Sequence, residues 1–251
     1  MTSEPILFWA FLLCAPFVGS FLGTLVTRLP AGEPVLFARS RCDACGHVLK
    51  PAQMIPIVSW IALRRRCAFC AAPLGAFYPG IEIASLIVVC WAATATTDWI
   101  FAASCILGWT LLVLALSDWR TQLLPDAVTL FLLVSGLLTT YLIDPGELLD
   151  RAIAVCAGFS ALAGLNLVYR LVRKREGMGL GDAKLLAALG AWVSLRGLPS
   201  VVLLACALGL FVMLTKSLSG TRLALADRLA FGSFLCLAGW LVWLYGPLVP
   251  G

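Results

Sequence analysis

The sequence predicts an all-α polytopic membrane protein with about eight transmembrane helices and a zinc-binding cytoplasmic loop. Of its 251 residues, 61% are hydrophobic and only 12% are charged, and the mean hydropathy is +0.99. Soluble domains carry roughly 25% charged residues. Apolar runs of about 20 residues recur, and that length spans roughly 30 Å of hydrocarbon. Lipid offers a backbone no hydrogen-bond partner, so we expect helices that satisfy their own backbones.

The apolar runs divide the chain into one long loop and a series of spans. We place the spans at 5–27, 79–96, 99–117, 124–142, 152–172, 182–196, 199–217 and 229–247. The predicted domains are a first transmembrane helix (1–30), a cytoplasmic four-cysteine loop (31–78) and a transmembrane catalytic bundle (79–251). The first span is not expected to be a cleavable signal peptide, because no basic segment precedes it and its apolar run is too long.

Basic residues set the predicted orientation. If the long loop is cytoplasmic, only Arg151 and Arg196 of the 18 Lys and Arg residues lie outside. Such an asymmetry is a strong positive-inside signal. It explains the net charge of +5, so the bilayer is an expected partner and nucleic acid is not. The sixteen predicted cytoplasmic residues are Arg28, Arg39, Arg41, Lys50, Arg64, Arg65, Arg66, Arg120, Arg170, Arg173, Lys174, Arg175, Lys184, Lys216, Arg222 and Arg228.

Four cysteines in the loop have the spacing of a metal site. Cys42-x2-Cys45 and Cys67-x2-Cys70 form two pairs separated by 21 residues, and each pair can give two thiolates to a tetrahedral zinc ion. Two disulfides are the alternative, which the reducing cytoplasm disfavours. Gly46 suits the turn of the first pair, whereas the second pair has no such glycine. Because four thiolates complete a structural site, His47 is expected at the surface rather than as a ligand.

Two aspartates are the candidate catalytic residues. Asp118 ends a predicted inward-running span, and Asp182 begins an outward-running one after Gly179 and Gly181. Both therefore lie at the cytoplasmic interface, at similar depth, and an ionisable side chain in a bilayer marks a functional site by default. Two close carboxylates share one proton. The ionised member can activate water while the protonated member polarises a substrate carbonyl.

Each acid also has a purely structural interpretation. Asp182 could be a helix N-cap, and Asp118 an interfacial loop acid. Asp126 and Glu82 could be first-turn acids that complement a helix dipole. The apolar run after Asp182, 183–195, is only 13 residues long. It crosses a bilayer only if the glycine turn lies at membrane depth or the bilayer thins. This favours a functional site at Asp182 over a simple helix N-cap.

Several stretches together resemble the type IV prepilin leader peptidases, which are bacterial inner-membrane aspartic proteases of the Gly-x-Gly-Asp class. The resemblance covers nearly the whole chain. The matching stretches are Gly19–Leu22 with Arg28–Pro30, Ser40–His47, Ile55–Trp60, Arg66–Cys70, Tyr78-Pro79 with Glu82, Asp118–Asp126, Gly179–Leu185 and Phe231-Gly232.

This resemblance implies an activity, partners and site residues. Asp118 and Asp182 match the catalytic pair, with Gly179, Gly181, Lys184, Glu82 and Asp126 as supporting residues. The implied reaction is cleavage of prepilins or pseudopilins after a glycine at the inner edge of their hydrophobic helix. Members with the four cysteines also N-methylate the new terminus with S-adenosylmethionine. The implied location is the inner membrane, with the active site and zinc loop facing the cytoplasm.

The chain departs from the family pattern beside the loop. Gly23 stands where the family usually has Asn, Ala52–Met54 replaces a polar-acidic run, and Phe77 replaces a basic residue. These changes put methyl transfer in more doubt than proteolysis. Two other functions are compatible with the same acids: a proton-coupled transporter with a broken helix at the glycine turn, and a silent assembly scaffold whose zinc loop binds a partner.

Overall fold

The regular secondary structure of the described residues is helical. The computed structural model describes residues 5–35, 39–42, 44–173, 179–219 and 230–248, and no β-strand occurs in them. Its chain forms two compact units, Met1–Trp109 and Thr110–Gly251. The predicted cytoplasmic residues Lys174, Arg175, Arg222 and Arg228 lie outside the described residues. The helices are α1 (Pro5–Arg28), α2 (Val58–Ala62), α3 (Phe77–Ala95), α4 (Asp98–Thr121), α5 (Asp126–Ile143), α6 (Leu148–Arg173), α7 (Leu180–Leu218) and α8 (Phe231–Tyr245), with 3-10 turns at Pro51–Gln53 and Pro145–Glu147.

Six helices among the described residues are long and apolar enough to cross a membrane, which makes this a multi-pass membrane protein. They are α1, α3, α4, α5, the segment Pro145–Val172 that contains α6, and α7. The predicted spans 182–196 and 199–217 form a single 39-residue element, broken at Ser194, where φ is 65°. Helix α8 is apolar but has only 15 residues. The count of eight spans therefore stays a prediction.

In the first unit, α1 packs on α3 through small residues. A Cβ on Gly19 would lie 2.7 Å from the Cα of Glu82, and a Cβ on Gly23 would lie 2.9 Å from the Tyr78 ring. Ser85 donates a hydrogen bond to the Ala15 carbonyl across the same contact, at 2.5 Å. Gly19 and Gly23 are spaced four residues apart, as close helix–helix contact in membranes requires.

In the second unit, α7 lies against α5, α6 and α8. Its closest approach to α6 depends on two glycines: a Cβ on Gly190 would meet the Ala154 carbonyl at 2.7 Å, and one on Gly158 would meet the Leu186 carbonyl at 2.9 Å. The indole of Trp192 donates to the Leu132 carbonyl of α5. These contacts fix the first half of α7, which begins with the predicted Gly179–Asp182 turn.

The break in α7 is held by two charged residues at the start of α6. Arg151 donates to the carbonyl of Trp192, which precedes the break. Asp150 accepts a hydrogen bond from the backbone N–H of Leu195, which follows it, at 3.2 Å. Helix ends leave such backbone groups without intrahelical partners. The pair Asp150-Arg151 therefore allows α7 to stop its first half after about 20 Å of rise, at 1.5 Å per residue.

Candidate active site and metal centre

Asp118 lies inside a helix rather than in a loop. Helix α4 continues to Thr121, so the interpretation of Asp118 as an interfacial loop acid is wrong. Its side chain is only 6% exposed. The backbone N–H of Ser233 donates to Oδ2 of Asp118 at 2.8 Å, and the Ser233 hydroxyl lies 3.2 Å from the same oxygen. Helix α8 thus supplies the groups that orient this carboxylate.

Asp182 is the third residue of α7. Gly179 is the N-cap residue and makes no side-chain cap, so the interpretation of Asp182 as the N-cap is wrong. An acid in the first turn complements the helix dipole, and this turn aims the carboxylate. Among the described residues, no hydrogen bond to the Asp182 carboxylate is present.

The two carboxylates meet at Gly232. A Cβ on Gly232 would lie 2.9 Å from Oδ2 of Asp118 and 3.1 Å from Oδ1 of Asp182. The two oxygens are therefore within about 6 Å of each other, the sum of those distances. One water molecule can bridge carboxylates at such a spacing. The absence of a side chain at position 232 leaves the room for it.

Gly232 and Ser233 were not predicted as site residues. The sequence placed Phe231-Gly232 at the start of the last span and among the stretches that resemble the family, and α8 does begin at Phe231. Nothing in the spacing of the chain indicates that this start contacts Asp118. The one available signal was the position of a glycine and a serine at the end of an otherwise apolar helix.

Three of the predicted supporting residues surround this turn. Lys184 forms an ion pair with Asp126 at 2.7 Å, and both side chains are largely exposed. Asp126 is the first residue of α5, which agrees with the interpretation that it complements the dipole of that helix. Its ion pair with Lys184 also connects α5 to α7. A Cβ on Gly181 would lie 3.3 Å from the Leu124 side chain, so this glycine allows the α4–α5 connection to approach.

Glu82 belongs to the first unit and has a separate environment there. Helix α3 begins at Phe77 and has no acid in its first turn, so the dipole interpretation of Glu82 is wrong. The residue is 5% exposed. Its carboxylate accepts hydrogen bonds from the backbone N–H of Ile57, at 2.7 Å, and from the Ser20 hydroxyl. Ile57 has a φ of 59°, so Glu82 holds an unusual backbone conformation beside α2.

The four loop cysteines converge on one point. Their sulfur atoms all lie within 4.8 Å of one another, and the Sγ atoms of Cys42 and Cys70 are 3.9 Å apart. Sulfurs bound to one tetrahedral zinc ion at about 2.3 Å lie roughly 3.8 Å apart. All four are free thiols, so the disulfide alternative is wrong. Backbone N–H groups of Cys70 and Phe69 lower the pKa of the Cys67 thiol to about 6, whereas for the Cys70 thiol the Ala72 N–H is outweighed by burial and the neighbouring cysteines, which raise its pKa to about 11.

The two cysteine pairs have the same backbone geometry. In the first, Gly46 donates to the Cys42 carbonyl and has a φ of 69°. In the second, Ala71 donates to the Cys67 carbonyl and has a φ of 55°. The second pair therefore forms the same turn without a glycine. His47 is exposed and its ring lies 3.4 Å from that of Phe69, as a surface residue rather than a fifth ligand.

Fold and site together define a class: a multi-pass helical membrane protein with a paired-aspartate site and a four-cysteine cluster. Comparison with known families makes this more specific. Residues 13–96 match the bacterial peptidase A24 N-terminal domain, and residues 105–214 match the type IV leader peptidase family. The chain belongs to this family of membrane proteases.

Individual relatives match over nearly their whole length. A protein of Aeromonas hydrophila is 35% identical across 92% of this chain and 88% of its own. A protein of Pseudomonas aeruginosa is 34% identical across 99% of this chain and 94% of its own length. A protein of Burkholderia pseudomallei strain 1026b is 39% identical across 88% of this chain and 80% of its own length. All three are named prepilin leader peptidase/N-methyltransferase. No solved structure matches the chain.

These findings confirm the resemblance and the predicted enzyme class. The family is a protease family, so the transporter alternative has no support.

Proposed function

We propose that the chain is an endopeptidase that removes the leader peptide of type IV prepilins or pseudopilins, with Asp118 and Asp182 as its catalytic pair. The observation that carries this proposal is the convergence of the two carboxylates on Gly232. They come from residues 64 positions apart, on two different helices. Asp118 is buried and Asp182 is half-buried. Ionisable side chains are costly inside a membrane protein, and where they occur they mark functional sites.

The two aspartates have different surroundings, which suggests different roles. Two donors from Ser233 point at Asp118, and such bonds stabilise an ionised carboxylate. Asp118 is then the base that removes a proton from the attacking water. Asp182 carries the shared proton and donates it to the scissile carbonyl oxygen as negative charge develops there.

The remaining assignments follow from the same family. The substrate is a protein whose hydrophobic N-terminal helix lies in the bilayer. The enzyme is placed in the bacterial inner membrane, with the loop and the aspartates on the cytoplasmic side, as the basic residues indicate. We keep the division into a first helix (1–30), a cysteine loop (31–78) and a catalytic bundle (79–251) as the proposed domain organisation.

Two further groups complete the proposal. Cys42, Cys45, Cys67 and Cys70 have the ligand type and spacing that fit one structural zinc ion. The relatives' N-methyltransferase activity implies S-adenosylmethionine, which supplies an activated methyl group for the amine exposed by cleavage. The new N-terminal amine must be neutral to accept it.

Replacing each aspartate tests the proposal. Asp118→Asn and Asp182→Asn should each lower leader cleavage at least about a thousandfold, because removing one member of a catalytic unit disables the whole. The assay is cleavage of prepilin peptides by purified protein in liposomes, with peptide mass read for added methyl. Asp98→Asn, an exposed acid at the other end of α4, is the matched control. Full activity in either catalytic variant would disprove the assignment.

A further inference from the structure

A cavity of about 280 Å³ lies within the first unit, where the second half of α1 meets the cysteine loop. Part of its lining consists of polar residues, namely Ser20, Thr24, Ser40 and Arg28. The other part is apolar and includes the rings of Phe17 and Phe21 and the thioether of Met54. Neither the peptidase reaction nor the cysteine cluster uses these residues.

The polar wall of the cavity is held in place by hydrogen bonds. Arg28 donates to the carbonyls of Pro34 and Arg39, at 3.3 and 3.4 Å, and so closes the loop back onto α1. Ser20 donates to Glu82 of α3, and the same carboxylate accepts from the N–H of Ile57. The buried Glu82 thus joins α1, α3 and the loop, which pre-organises the cavity before any ligand enters.

We propose that this cavity binds S-adenosylmethionine, an inference that rests on the proposed methyltransferase function. The ligand combines a carboxylate, ribose hydroxyls, an adenine ring and a sulfonium. Arg28 is the one fixed charge in the wall and suits the carboxylate. The hydroxyls suit the ribose, and the Phe17 and Phe21 rings suit a flat base or a cation. A lipid acyl chain would use only the apolar part of the lining and leave the charge of Arg28 beside hydrocarbon.

Two adjacent loop residues allow a matched test of the location. Met54 and Ile55 are 42% and 43% exposed, but only Met54 lines the cavity. Equilibrium dialysis of labelled S-adenosylmethionine against the full chain in detergent gives the dissociation constant. Met54→Trp fills the cavity and should raise this constant at least roughly tenfold. Ile55→Trp should leave it unchanged, and both variants should cleave prepilin normally, which also verifies their fold.

A second measurement tests the role of Arg28 separately from its contribution to the loop. The unaltered protein should bind S-adenosylhomocysteine roughly tenfold more tightly than 5′-methylthioadenosine, which lacks the amino-acid portion and its carboxylate. Arg28→Gln should bring that ratio close to one. If Arg28 had a purely structural role, Arg28→Gln would weaken the binding of both ligands equally and the ratio of the two affinities would not change. That result would contradict the assignment.

The outcomes separate this inference from the peptidase proposal. If Met54→Trp and Ile55→Trp bound S-adenosylmethionine equally well, or if phospholipid alone displaced the label, the cavity would not be the binding site. A chain that cleaves prepilin but binds no S-adenosylmethionine would also overturn it and leave the peptidase function intact. A chain that binds the ligand but cleaves no prepilin would support the cavity and contradict the peptidase.

Discussion

The cysteine cluster and the aspartate site are assembled in opposite ways. All four cysteines lie within the 29 residues from Cys42 to Cys70, and each pair folds as a self-contained turn. Asp118, Asp182 and Gly232 come from three helices. The cysteine cluster therefore depends on local backbone turns, whereas the aspartate site depends on how α4, α7 and α8 pack.

This difference predicts where each site is vulnerable. A metal site fails when one ligand is lost, because the binding free energy of the ion is also folding free energy. The aspartate site should instead fail when the packing at Gly232 changes, even with both aspartates present.

Loss of a cysteine ligand should have the largest effect. The folded, reduced protein should contain about one zinc ion per chain, and Cys42→Ser or Cys67→Ser should abolish it. Metal analysis of the purified protein is the measurement. Cys90→Ser changes an exposed cysteine of α3 and should retain the ion. Absence of zinc in the unaltered folded protein would refute a structural metal.

Adding one methyl group at Gly232 should have the second-largest effect. The Cβ of Gly232→Ala would lie 2.9 and 3.1 Å from the two carboxylates and displace the water between them, so cleavage should fall roughly a hundredfold. Gly239→Ala is the control, on the same helix. Its Cβ meets the Leu189 side chain, which should lower stability but leave the rate of the folded protein within a few fold. Equal rate losses in both variants would contradict the packing argument.

Removing the Ser233 hydroxyl should have an intermediate effect. The hydroxyl lies 2.9 Å from the Ala115 carbonyl and 3.2 Å from Asp118, and it can donate to only one of them at a time. The backbone N–H donor remains in Ser233→Ala, so cleavage should fall by roughly tenfold or less. Steady-state rates of leader cleavage by Ser233→Ala and by the unaltered protein measure this loss. A loss as large as that of Asp118→Asn would mean that Ser233 itself takes part in the chemistry.

The smallest effect concerns the turns of the cysteine pairs. Ala71 has the left-handed backbone that Gly46 has in the first pair. Ala71→Gly should therefore strengthen zinc binding by about 1 kcal/mol, and Gly46→Ala should weaken it by a similar amount. A Cβ on Gly46 would meet no atom within 4 Å, so only backbone strain changes. Chelator competition measures both, and effects of the same sign would contradict this reasoning.

The sequence predicted the elements that depend on local pattern. Apolar runs placed the helices, and the Cys-x2-Cys spacing predicted the cluster of four cysteines, because both signals need only near neighbours. The pairing of Asp118 with Asp182 was predicted only by assuming that their helices are adjacent. The contribution of α8 could not be predicted, because nothing near Gly232 records which distant side chains it faces.

Backbone irregularities were also missed. Ile57, Ala71 and Ser194 all have positive φ without being glycine. Two of them are held by tertiary contacts: Glu82 holds Ile57, and Asp150 and Arg151 hold the break at Ser194. Single-residue preferences give no signal at such positions, since the contacts that offset the strain come from other segments.

The most direct test of the account is whether the two aspartates act as one unit. Leader cleavage should be measured in liposomes for Asp118→Asn, Asp182→Asn and the double variant, each inserted to the same level as the unaltered protein. The account predicts the same residual rate in all three, because either single change already disables the pair. Losses that multiply in the double variant, or substantial activity in one single variant, would contradict a shared catalytic pair.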